Sequence, residues 1–110
     1  MPKKEQFVLL PYGMIDSSQW WKLPFSAQSV YIYMRRSVFK KIGGRVLNND
    51  PGRVWFSYSD CHGMNKKTWL AARDALREGG FIELLEPAMF TPKKKGLYAF
   101  SHKWKDYEQS

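Results

Sequence analysis

The chain has 110 residues, 44% hydrophobic and 25% charged, with 18 Lys and Arg against 10 Asp and Glu for a formal charge of +8. That length fits one domain and that composition fits a buried core, which excludes a disordered chain; the charge suits a polyanionic partner. Cys61 is the one cysteine, which excludes an intramolecular disulfide, and no apolar run approaches the roughly 20 residues that span a bilayer, so a reducing cytoplasm and no membrane partner are expected.

In chain order, residues 1–5 are polar and expected to fray, with no apolar stretch of a signal peptide. Residues 7–10 form a short apolar run stopped by Pro11, expected as an extended segment or short strand. Ser17 or Ser18 suits the cap of a short helix through Leu23, which Pro24 ends. Ser26 suits the cap of a longer helix reaching about Lys41. There Ala27, Val30, Tyr31, Met34, Val38 and Ile42 recur at the spacing of one buried helix face. Arg35, Arg36, Lys40 and Lys41 fall off that stripe as a solvated face, and Gly43-Gly44 supplies a stop.

Residues 44–53 read as a loop offering Arg45 and Arg53, and 54–57 as a short β segment, the only strand expected before the next helices. One or two helical turns follow over 58–63, capped by Ser57 or Ser59, with Gly63 in a left-handed position. Asn65 caps a helix over 66–78, whose Trp69, Ala72 and Leu76 form an apolar edge, and Gly79-Gly80 closes it. Strands over 81–85 and 97–100 form a hairpin joined by the long loop 86–96, which carries Lys93, Lys94 and Lys95. The polar tail 102–110 holds Trp104 and Tyr107, both expected on the core.

This order predicts an α+β, mainly α fold: a winged helix-turn-helix as a single domain over 1–110, with N-terminal helices and a C-terminal β-hairpin wing. The helix-turn-helix spans about 57–79 and the wing about 81–101. In such a fold the second helix enters the DNA major groove by its first residues, here Asn65, Lys66, Lys67 and Thr68. Leu70, Ala71 and Asp74 share the exposed side on the next turn. The first two lack donors and suit only a thymine methyl group or sugars, whereas Asp74 accepts from cytosine or repels phosphates at wrong registers. The three wing lysines suit a phosphate backbone or minor-groove edge.

Phe7-Val8-Leu9-Leu10-Pro11-Tyr12, Met14-Ile15-Asp16-Ser17, Met64-Asn65-Lys66-Lys67-Thr68, Ala75-Leu76-Arg77-Glu78-Gly79-Gly80-Phe81-Ile82, and Tyr98-Ala99-Phe100-Ser101 with Trp104 resemble one family. It is the small winged-helix proteins of prophages, plasmids and integrated bacterial elements, described as helix-turn-helix or replication-initiator-like proteins. The resemblance implies DNA binding by recognition helix and wing in a bacterial or phage cytoplasm, at the nucleoid or a plasmid. Arg73 stands where such helices often carry a core-facing aliphatic residue, so it is expected to snorkel out toward phosphate.

Asp60-Cys61-His62 offers no catalytic pair, because adjacent residues on a helix diverge. One Cys with His62 and His102 supplies no tetrahedral zinc site. No metal, cofactor or enzymatic activity is therefore expected, and Cys61 reads as a small buried hydrophobe. Trp20, Trp21, Trp55 and Trp69 read as core, except that Trp20 and Trp21 cannot both face inward, and the outward one would mark a dimer or partner surface. The leading expectation is a sequence-specific regulator of a mobile element that binds double-stranded DNA. The alternatives are a replication-initiator or accessory protein at an origin, and a winged-helix protein-interaction module. The partners expected are a second copy of the chain, whose dimer would have to use the N-terminal helices, or a replication or transcription protein.

Overall fold

The computed structural model describes residues 8–38, 41–42, 45–46, 52–61, 63–90 and 93–108. The architecture is α+β. Helices α1 (Tyr12–Ile15), α2 (Ser18–Lys22) and α3 (Phe25–Val38) come first, then the two-residue strands β1 (Lys41–Ile42) and β2 (Arg45–Val46). Strand β3 (Arg53–Phe56), a 3-10 turn (Tyr58–Asp60), α4 (Lys66–Glu78) and β4 (Ile82–Glu86) follow. A short ribbon, β5 (Met89–Phe90) with β6 (Lys93–Lys94), leads to β7 (Gly96–Phe100) and α5 (Trp104–Glu108). The main sheet is antiparallel with strand order β3-β7-β4.

Local chemistry accounts for the helix boundaries. The Ser17 hydroxyl accepts from the Trp20 amide at 3.1 Å and donates to the Met14 carbonyl at 2.6 Å, so one buried side chain caps α2 and closes α1. Gln28 Nε2 donates to the Trp20 carbonyl at 3.0 Å and satisfies the far end of α2. Ser26 is not a cap. The Pro24 carbonyl accepts from the amides of Ala27 and Gln28, so α3 begins at Phe25, where the fixed proline φ suits a helix start. Asn65 Oδ1 accepts from the Thr68 amide at 2.8 Å and opens α4 as expected. Gly63 and Gly80 take left-handed φ values of 73° and 82°.

Aromatic rings knit the core. Phe81, fully buried, meets Trp20 and Tyr31 edge-on and stacks on Trp104 at 6.1 Å and 8° between planes. Trp69 lies 5.4 Å from Phe56 and 6.1 Å from Tyr98, which fastens α4 to the sheet. On α3 the buried residues are Ala27, Val30, Tyr31, Met34 and Val38, and on α4 Trp69, Ala72 and Leu76, the stripes expected from spacing.

Several expectations change. Val8 to Leu10 adopts no regular structure, although Leu10 packs against the core. Residues 12–15 are helical because amides 14 and 15 both reach the Pro11 carbonyl. Ile42 does not continue α3; Lys41↔Val46 and Ile42↔Arg45 pair antiparallel, a place that suits β-branched Ile and Val. The segment 44–53 therefore includes strand, and 54–57 is not the first β segment. The loop 86–96 contains the β5–β6 ribbon, with Met89↔Lys94 and Phe90↔Lys93. The tail forms α5, with Trp104 buried and Tyr107 half-exposed. Expectations placed on residues 1–5, Phe7, Lys40, Gly43, Gly44, 47–51 and His62, and on the Arg45 side chain, lie outside the described residues.

Candidate functional site

The first turn of α4 combines two features that oppose each other. Lys66 and Lys67 are exposed there, and the turn contains no acidic residue. A helix N-terminus carries roughly half a positive charge, so an uncompensated cation such as Lys67 there is unfavourable by about 0.3–1 kcal/mol. The other edge of α4 is fixed by Trp69, Ala72 and Leu76, so the lysines project from a rigid support.

Other expected contacts are placed less freely. Asn65 is exposed, but its Oδ1 is committed to the cap, which leaves the Nδ2 amide hydrogens for a ligand. Thr68 is half-buried. Leu70 is half-buried and packs on the core rather than standing on the open side, because it neighbours the stripe that Trp69 anchors. Ala71 is exposed. Arg73 Nη2 sits 3.2 Å from Asp74 Oδ1, and the Arg73 guanidinium lies near the Tyr98 hydroxyl. Arg73 thus lies against the sheet as well as beside a carboxylate. Burial raises the Tyr98 hydroxyl pKa, and the Arg73 contact partly offsets it.

Past Asp74 the surface turns mixed in charge. Asp74, Glu78 and Glu83 with Arg77 and Lys103 line an open groove of about 620 Å³, where Lys103 pairs with Glu83 at 2.9 Å. Three carboxylates against two cations disfavour a polyanion in this groove, so the cationic end of α4 is its first turn.

Lys94 and Lys95, between β5 and β7, are tethered rather than loose at a tip. Lys95 Nζ reaches both carboxylate oxygens of Asp60 at 2.9 and 3.0 Å. Asp60 also accepts from the Ser57 amide at 2.9 Å in a capping box. This ion pair holds the base of the ribbon against the turn that leads into α4. Lys94 Nζ lies 3.4 Å from Glu86 Oε1 and 4.6 Å over the Trp55 ring. The Lys93 backbone pairs with Phe90; its side chain lies outside the described residues. The exposed Lys94–Glu86 pair contributes about 0–1 kcal/mol, so a phosphate can compete for Lys94, whereas the Asp60 side chain is only 11% exposed and holds Lys95 more firmly.

Trp55 was expected in the core and is 39% exposed. The signal that finds it is strand alternation: Val54 and Phe56 are buried, which turns the residue between them to the other face. Trp21 is 62% exposed beside the buried Trp20. Arg35, expected on a solvated face, instead folds over Phe100 with its guanidinium carbon 3.8 Å from the ring centroid.

Cys61 is buried, and burial together with neighbouring Asp60 pushes its thiol up to about 11, so it stays protonated at neutral pH. Among the described residues no group of three His, Cys, Asp or Glu side chains could hold a metal ion. No helix among them is long and apolar enough to cross a membrane. No protein-family model matches the chain, and neither the curated proteins nor the solved structures include a match.

Proposed function

We propose that the protein is a winged helix-turn-helix that binds double-stranded DNA and regulates a mobile genetic element, acting by binding and not as an enzyme. One observation carries the reading: two exposed lysines on the acid-free first turn of a helix whose opposite edge is locked in the core. A phosphate or base edge there would relieve the repulsion between Lys67 and the helix terminus. Asn65, Lys66, Lys67 and Thr68 face the major groove, with Ala71 alongside, while Leu70 supports the helix and only its outer edge reaches sugars. The ribbon is the wing, and Lys93, Lys94 and Lys95 take phosphates. Arg73 and Asp74 form the rear limit of the contact.

Selection from a random duplex pool at about 150 mM salt, near physiological ionic strength, tests this. An enriched palindrome is the expected result and marks a dimeric regulator; direct repeats would mark an initiator at an origin. Retention without enrichment would leave only charge-driven binding, and no retention would overturn the proposal. Exposed Trp21 and Phe25 favour a second reading, a winged helix that docks another protein. In that case neutralising Lys66 and Lys67 would leave activity intact.

A further inference from the structure

A second site lies on the flank of the molecule. A cavity of about 260 Å³ opens between α1, α3 and the tail, lined by Gly13, Met14, Tyr31, Arg35, His102, Trp104 and Lys105, with Pro11 at its edge. Among the described residues no acidic side chain lines it, whereas Arg35 and Lys105 bring two fixed positive charges. Its volume falls just below the range of drug-sized pockets and suits a smaller ligand.

The polar groups at this wall are incompletely used. Tyr31 is 1% exposed, and its hydroxyl oxygen accepts from Arg35 Nε at 3.1 Å and from Nη2 at 2.9 Å. Both of those are donations to the tyrosine. The Tyr31 hydroxyl proton has no acceptor, and Arg35 no carboxylate partner, among the described residues. Phe100 stacks under the guanidinium and Trp104 packs on Phe81, so both the cation and the flat wall are held in place before any ligand arrives.

We propose that this cavity binds a small organic anion, a monocarboxylate with a flat apolar body. The carboxylate accepts from the Tyr31 hydroxyl and the Arg35 guanidinium, and the body lies against Met14 and Trp104. The site uses none of the residues assigned to DNA, so it stands or falls independently of the DNA reading.

The full-length protein is titrated with benzoate, with neutral benzamide and with inorganic phosphate, following the Trp104 indole and nearby amides by NMR. Benzoate should give a saturable shift centred on the cavity, with benzamide at least about tenfold weaker, as expected when a charge-assisted hydrogen bond is lost. Tyr31→Phe removes only the hydroxyl and should weaken benzoate about tenfold. Gly13 lines the cavity and a Cβ there meets nothing within 4 Å, so a side chain is tolerated and Gly13→Leu should weaken binding by crowding the opening. The proposal is overturned by equal shifts from benzoate and benzamide, by phosphate competing as well as benzoate, by undiminished binding in Gly13→Leu, or by no saturable shift at millimolar probe. Affinity for duplex DNA, read separately by fluorescence anisotropy, should be the same in wild type and Gly13→Leu; failure there concerns α4 and the ribbon, not this cavity.

Discussion

Replacing Gly80 with alanine tests how the tail is locked to the rest of the core. Gly80 has φ +82°, and a Cβ built there would lie 2.7 Å from the Trp104 amide nitrogen and 2.9 Å from the Lys103 carbonyl carbon. Those atoms are backbone and cannot rotate away. The same backbone is held by the Trp104 amide donating to the Gly80 carbonyl at 3.2 Å and the Ser101 amide donating to the Phe81 carbonyl at 2.9 Å. An L-residue in the left-handed region costs about 1–2 kcal/mol. Relieving the clash means lifting α5, which uncovers part of Trp104 and of Phe81; exposing a large buried side chain costs about 1.5–3 kcal/mol. The expected loss is about 3 kcal/mol, which lowers the melting temperature by roughly 12 °C or more. Urea titrations and thermal melts followed by tryptophan fluorescence give the two numbers, and a red-shifted native spectrum reports the lifted Trp104. Gly79→Ala is the comparison, because Gly79 has an ordinary φ of −75° and a Cβ there meets mainly the Phe81 ring at 3.0 Å. A Gly80→Ala protein within about 1 kcal/mol of wild type, with unshifted fluorescence, would refute the account of the tail as an anchored element.

Three further outcomes are expected. Asn65→Ala should lose about 1 kcal/mol of stability through the missing cap, whereas Asn65→Asp keeps the cap acceptor; both should lose the sequence preference in a duplex-selection experiment, since neither retains the amide donors. Lys94→Ala should weaken binding across all duplexes and reduce the slope of log affinity against log salt by about one, whereas Lys67→Ala should change which sequence is preferred. The raised thiol of Cys61 contributes stability that is fully present below its ordinary value of 9.0 and is lost as pH rises toward about 11, because the folded state keeps a proton the unfolded chain releases. Alkaline urea titrations should therefore show a shallower fall for Cys61→Ala, with the remainder due to Tyr31 and Tyr98, whose hydroxyls burial also raises.

Helix α4 was fully legible in the sequence: cap, length and buried edge all follow from Asn65, the 3.6-residue period and Gly79-Gly80. Its surroundings were less so. The inward stripe of α3 could be read from spacing, but nothing local says that Arg35 lies on Phe100, a residue 65 positions away along the chain. Leu70 illustrates a boundary residue: helical geometry puts it beside the buried stripe, and only the neighbouring elements decide how far it is covered. The lysines of the ribbon read as a charged tip because no sequence rule links Lys95 to Asp60 or Lys94 to Trp55. Those pairings arise from chain topology, which places β7 between β3 and β4. Trp55 is the exception that could have been caught, since period-two alternation from Val54 and Phe56 turns it outward.

The stack of Trp104 on Phe81, itself against Trp20 and Tyr31, also sets the order in which this protein can acquire its structure. The cluster joins residues from distant parts of the chain, so its loop-closure entropy must be met before the rings reward one another. Helices α3 and α4 can form early, yet Phe81 keeps one face in water until the tail arrives. Folding should therefore end on a slow step at which α5 docks. Unfolding should begin by the same route in reverse, so the Trp104 indole should lose its amide-exchange protection before the buried residues of α4 lose theirs.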